Sequence, residues 1–176
     1  MPADNNGHAN NAPAHDASSG EALEAGKFCT FGLGGIFIGI DVRKVQEVLR
    51  HDQMTAVPLA PAELVGLLNL RGEIVPALDL RRLLGLPLAR ELTASVVVRA
   101  GDEPVALLVE QVGDVVEPSP FEFEPVPASV PVRVREVVNG TYKLDGMLLL
   151  VLALDRLSAH FDQSGAQSRL MLQTAG

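Results

Sequence analysis

Hydrophobic residues in this chain fall in short runs broken by glycine, and the spacing within the runs switches between two and three. Phe28 to Leu33 and Ile36 to Ile40 are rich in strand-forming residues and meet at Gly34-Gly35, which predicts a two-residue hairpin. Val42, Val45 and Val48 then recur at every third position, which predicts a short helix-like stretch from Asp41 through Val48. After a link containing Pro58 and Pro61, Ala62 to Val65 reads as a single turn. Gly66 to Leu84 follows as a strand, an Arg71-Gly72 turn, an apolar strand and a short helix, Leu80 to Leu84, with Asp79 placed to cap it.

The second half repeats the plan. Ser95 to Arg99 and Val105 to Val109 predict a hairpin around Gly101-Asp102, followed by Val112 to Val115. Pro118 to Pro131 holds prolines at 118, 120, 125, 127 and 131 and reads as irregular or edge-like. Within it, Phe121 and Phe123 alternate with Glu122 and Glu124, the pattern of a half-exposed strand. A further hairpin is signalled by Asp145-Gly146.

The repetition is detailed. A shift of 74 positions lays Gly66, Leu70, Gly72, Leu78, Leu80, Arg82 and Leu83 on the identical Gly140, Leu144, Gly146, Leu152, Leu154, Arg156 and Leu157. An earlier echo, Val45-Gln46-Glu47-Val48 against Val112-Gly113-Asp114-Val115, lies at an offset of 67. Two copies of one small module are therefore expected. Short strands, glycine turns and brief helices predict an all-β protein, most simply two small barrels.

Composition limits what such a protein can do. Of 176 residues, 47% are hydrophobic, enough for a real core. The net charge of −8 is uneven, because residues 1–26 carry Asp4, Asp16, Glu21 and Glu24 without Lys or Arg. That segment has Leu23 as its one large aliphatic residue after Met1, so a flexible tail is expected over 1–26. The domain proper is expected over 27–161, and 162–176 reads as a C-terminal tail with a short helix suggested at Arg169 to Leu172. Basic residues are scattered, which argues against nucleic acid as a partner. The single cysteine, Cys29, cannot form an internal disulfide and reads as a small core residue. No secretory signal or bilayer-spanning run is visible, so a cytoplasmic protein without direct membrane insertion is expected.

Catalytic chemistry is not legible. His8 and His15 fall in the tail, His51 and His160 at element ends, and none has metal-ligand spacing. Cys29 lies in a strand, no serine occupies a nucleophile elbow, and Gly32, Gly34 and Gly35 lack the ending of a phosphate loop. No metal and no cofactor is expected.

The strings VQEV (45–48), GLLNLRGEIVPALDLRRLLGL (66–86) and LLVEQVGDVV (107–116) resemble the CheW family, adaptor proteins of bacterial chemosensory arrays. The resemblance runs from about Phe28 to Leu157. It implies two packed SH3-like β-barrel subdomains with short helices and a non-enzymatic task. That task is to link the cytoplasmic hairpin tip of chemoreceptors to the regulatory domain of a CheA-type histidine kinase, at membrane-associated arrays. Carried over residue by residue, the resemblance implies kinase or receptor contacts at Val45, Glu47, Asn69, Arg71 and Val115. Plainer readings stand beside these. Glu47 and Arg71 can pair with each other, Asn69 can serve the turn, and Val45 and Val115 can be core. The competing function is a small β-barrel binding an unknown ligand, for which the sequence offers no convergent polar pocket.

Overall fold

The computed structural model describes residues 26–50 and 54–163. The tail expected at 1–26, Gly26 apart, lies outside the described residues, as do His51 and the C-terminal helix suggested at Arg169 to Leu172.

Strands β1 (Phe28–Leu33) and β2 (Ile36–Asp41) form the first hairpin. Both turn glycines take positive φ, 57° and 85°, the conformation a type I′ turn requires. The helix expected from Asp41 to Val48 is not formed. Asp41 instead caps a single 3-10 turn, Val42–Lys44, and the chain enters strand β3 (Val45–Arg50). The Arg43 guanidinium hydrogen-bonds the Asp41 carboxylate and holds its pKa below the ordinary carboxylate range.

The valine spacing that suggested a helix has another cause. Strand β6 (Ala94–Ala100) pairs Val45 with Val98, Glu47 with Val97 and Val48 with Val96, so β3 carries one extra residue at a bulge. A bulge converts the two-residue repeat of one strand face into a spacing of three. Val45 and Val48 thus share a face without any helical turn. The second echo behaves alike: β8 (Gln111–Val116) pairs Val112 with Phe31 and Val115 with Cys29, across a bulge in the same place.

Strands β4 (Leu64–Leu70) and β5 (Glu73–Asp79) lead into helix α1 (Leu80–Leu84), and β7 (Glu103–Val109) completes the hairpin with β6. The single turn expected over Ala62 to Val65 is cut short, because Leu64 already begins β4. In the proline-rich connector the expected strand through Phe121 to Glu124 is also corrected. Ser119 and Glu122 form a capping box around a 3-10 turn, Pro120–Glu122, leaving only β9 (Phe123–Glu124) to pair. Pro120 lacks the N–H a ladder would use. Helix α2 (Val132–Glu136), strands β10 (Val138–Leu144) and β11 (Met147–Leu152) and helix α3 (Leu154–Gln163) follow.

The two sheets run β8-β1-β2-β11-β10-β9 and β3-β6-β7-β5-β4. Each therefore mixes the two sequence copies. Barrel 2 is the contiguous stretch β3 to β7, while barrel 1 joins β1 and β2 to β8 through β11. Each copy's opening hairpin meets the other's closing one through a parallel pair, β2 with β11 and β5 with β7. The repeated glycines mark crossings in both barrels. A Cβ on Gly66 would lie 2.8 Å from the Thr55 carbonyl oxygen, and one on Gly140 would run into the Phe123 ring.

Three cores result. Val75, Ala77, Val97, Ala106 and Leu68 fill barrel 2. Phe28, Tyr142, Leu149 and Val151, with Phe37 and Phe123 against them, fill barrel 1. The largest cluster lies between the sheets, where Phe31, Ile38, Ile40, Val96, Val98 and Leu107 meet Leu80 and Leu84 of α1 and Leu154 and Leu157 of α3.

Candidate functional site

The Arg71-Gly72 turn projects from the end of barrel 2, between β4 and β5. Both residues are left-handed, with φ of 54° and 90°. Glycine adopts this state freely, whereas arginine pays about 1–2 kcal/mol for it. Asn69 steadies the turn, its side-chain oxygen accepting from Gly72 N at 2.8 Å. The Arg71 guanidinium then reaches β3, where one Nη2 donates to Glu47 Oε2 at 3.2 Å. Since β3 and β4 are the two outer strands of the five-stranded sheet, this pair spans the seam of barrel 2. The arginine side chain is 82% exposed and the glutamate 30%, so the pair adds little to stability but leaves most guanidinium N–H groups facing solvent.

The other two candidates lie elsewhere. Val45 is half-buried and packs on the core between the sheets. Val115 is 58% exposed on β8, the outer strand of the six-stranded sheet beside β1. The five candidates thus separate into a polar cluster on barrel 2 (Glu47, Asn69, Arg71), an apolar position on the edge of barrel 1 (Val115), and the half-buried Val45 against the core between the sheets.

The CheW-like domain model matches residues 27–162 of this chain. The chain belongs to the CheW family. It is 32% identical to chemotaxis protein CheW of Klebsiella aerogenes over 137 residues, covering 74% of this chain and 80% of that protein. Chemotaxis protein CheW of Rhizobium meliloti is 28% identical over 147 residues, 82% of this chain and 92% of the relative. The crystal structure of scaffolding protein TtCheW from Thermoanaerobacter tengcongensis matches with a TM-score of 0.65 at 26% identity, over 73% of this chain and 88% of that one. The CheW family is one of non-enzymatic scaffolds, and this chain is a chemotaxis adaptor of the kind that couples chemoreceptors to the kinase CheA.

Against that CheW-family frame, two features escaped the sequence reading. Ile74 pairs across from Asn69 and is 56% exposed, an apolar neighbour to the Arg71 turn. Its signal was only an isoleucine at an outward strand position, which many surfaces tolerate. The second is a buried ionic cluster. Asp79 caps α1 through Arg81 N, and the Arg81 guanidinium bonds Asp79 at 2.9 Å and Glu110 at 3.0 Å, with a further bond to the Arg90 carbonyl. Hydrogen bonding to Asp79 raises the Arg81 pKa further, so the cation is permanent. Glu110 N in turn donates to the Gly32 carbonyl, tying α1 of barrel 2 to the first hairpin of barrel 1.

Neither feature resembles a ligand site. A groove of about 540 Å³ is lined by Leu33, Ile36, Phe37, Pro87 and Met147 with Arg90 and Glu110, and Glu110 is already held by Arg81. Among the described residues no group of three or more His, Cys, Asp or Glu is placed to hold a metal, and no helix is long and apolar enough to cross a membrane.

Proposed function

We propose that this CheW-family chain bridges the cytoplasmic hairpin tip of a chemoreceptor and the regulatory domain of a CheA-type kinase, using separate faces of its two barrels. Glu47, Asn69 and Arg71, with Ile74 beside them, form the polar contact face. Val115 on the outer strand β8 supplies an apolar position on a second face. An adaptor of this design needs no catalytic group, because fixing two partners in one geometry lets movement of one bias the other. It acts in the cytoplasm at receptor arrays, where many weak contacts reinforce one another.

The observation that carries this reading is Arg71 itself. It occupies a strained left-handed position that glycine or asparagine would fill at lower cost, while its guanidinium faces solvent held at one edge by Glu47. Strain at an exposed, oriented cation supports a contact role for Arg71. Pull-down and titration with cognate kinase and receptor fragments test it. Glu47→Lys and Arg71→Ala, each with an unchanged circular dichroism spectrum, weaken binding of at least one partner by tenfold or more, the scale of one charged hydrogen bond. Unchanged affinity of both variants for both partners sinks the assignment. Turnover of a nucleotide by the purified chain would overturn the non-enzymatic reading.

A further inference from the structure

The chain passes between the barrels twice, once through the turn Val42–Lys44 after β2 and once at Glu110, the single residue that separates β7 from β8. The two crossings are built differently. At the first, Arg43 bonds Asp41 two residues away, and its side chain is 76% exposed. At the second, Glu110 N donates to the Gly32 carbonyl of barrel 1 at 3.2 Å, its carbonyl accepts from Thr93 Oγ1 at 2.7 Å, and its carboxylate accepts from Arg81 Nη1 at 3.0 Å. Arg81 is anchored in barrel 2 by Nε and Nη2 on the two Asp79 oxygens, each at 2.9 Å, and by the Arg90 carbonyl. The offsets that align the copies lay Arg43 on Glu110 and Asp155 on Arg81, so acid and base have changed places. Arg43 and Asp155 line an open pocket of about 230 Å³. The first crossing is held within itself, and the second is held across both barrels.

We infer that Arg81 and Glu110 are positioning residues for signal transfer: the pair pins the second crossing and so sets the angle at which the two barrels hold their partners. The apolar core between the sheets presses the barrels together, but apolar burial has no direction and leaves their rotation weakly specified. A charged, two-point hydrogen bond does have direction. A buried ion pair adds little stability over apolar residues of the same size, so its presence at the junction is better explained by the geometry it imposes. The two side chains are 7% and 6% exposed, too enclosed to touch a partner. Their effect is therefore on what one bound partner does to the other, and the inference rests on the adaptor reading above.

The test uses the full chain with Glu110→Gln, which keeps the shape of the side chain and leaves Arg81 paired with Asp79. Spin labels at Asp102→Cys on barrel 2 and Asp145→Cys on barrel 1, both exposed positions, report the distance between the barrels. The native chain gives one narrow distribution. Glu110→Gln broadens or shifts it, and titrations against the isolated kinase domain and the isolated receptor fragment stay at native affinity. In the reconstituted complex of receptor, adaptor and kinase, the receptor-induced change in kinase autophosphorylation falls by about fivefold or more. Val75→Ala, which loosens the core of barrel 2 away from the junction, leaves distance and receptor control native. Glu110→Asp keeps the charge, draws the carboxylate back by one methylene, and carries the same prediction should Glu110→Gln not fold. Native distances or native receptor control in the Glu110 variant overturn the inference while the adaptor reading stands. Weakened binding to either isolated partner, or an equal loss in Val75→Ala, overturns it as well. If the native chain confers no receptor control on the kinase, the adaptor reading fails first and takes the inference with it.

Discussion

Barrel 2 and barrel 1 follow one backbone plan but are held together differently. Leu68, Val75 and Ala77 in barrel 2 correspond to Tyr142, Leu149 and Val151 in barrel 1, and Ser95 corresponds to Phe28. Every one of these changes enlarges the barrel 1 interior. The added volume is filled by tilted aromatic pairs, Phe28 with Tyr142 at 5.4 Å and Phe123 with Tyr142 at 5.1 Å between centroids. Phe123 comes from β9, a strand barrel 2 lacks. Barrel 2, with its slimmer core, carries its distinguishing features in polar groups: the Glu47 and Arg71 pair across its seam and the Asp79, Arg81 and Glu110 cluster beneath α1. The counterpart helix α3 has Ala153 and Asp155 where α1 has Asp79 and Arg81. Packing closes one barrel, and ion pairs finish the other.

That contrast is most exposed at Arg81. Arg81→Ala leaves two carboxylates buried without a cation and should lower stability by about 3–5 kcal/mol in chemical denaturation. The exposed counterpart Asp155→Ala should shift it by no more than about 0.5 kcal/mol. Equal effects would show that the two helices are anchored alike and dissolve the comparison. A smaller change sharpens the barrel 1 side. Tyr142 is fully buried, its hydroxyl has no hydrogen-bond partner among the described residues, and burial pushes its pKa up. Tyr142→Phe keeps the ring contacts and removes that cost, so thermal melting should show a gain of about 1 kcal/mol. A loss of that size would mean the hydroxyl is satisfied and the interior is not purely a packed one.

Next in size is the strained turn. Arg71→Gly relieves the left-handed arginine and should leave stability equal or raised by up to about 1 kcal/mol, while partner binding falls. A destabilised variant would recast the ion pair as structural. Smallest is the acid response at the junction of the barrels. Because Arg43 lowers the Asp41 pKa in the fold, Asp41 contributes stability above its unfolded value of about 3.9, and the contribution disappears as pH falls through the lower folded value. Asp41→Asn should therefore flatten the stability profile below about pH 4 and cost a few tenths of a kcal/mol at neutral pH, in keeping with an exposed Arg43 partner.

Much of this was legible in the chain. Gly34-Gly35 marked the β1 and β2 turn and Gly101 the β6 and β7 turn, because positive φ leaves few other residues available. Glu47 and Arg71 were readable as residues able to pair with each other, and the structure does join them. Val45 to Val48 misled because a bulge and a helix both place like residues three apart, and only the partner strand separates the two readings. Arg81 and Glu110 were invisible as a pair, being 29 residues apart in a segment whose charges look like a solvated helix face. The mixing of the two copies was beyond reach too, since a repeat reveals resemblance between segments and says nothing about which of them pair.

That mixing also sets an order of assembly. Every strand of barrel 2 lies between Val45 and Val109, so this barrel has all its parts once the chain has been made that far. The first hairpin, although synthesised earlier, waits for Met147–Leu152 to supply its parallel neighbour β11. Its apolar strands must meanwhile be sheltered by the finished barrel 2 through the shared core. The Arg71 face is thus complete on the ribosome before the Val115 face exists, and the adaptor acquires its two hands one after the other.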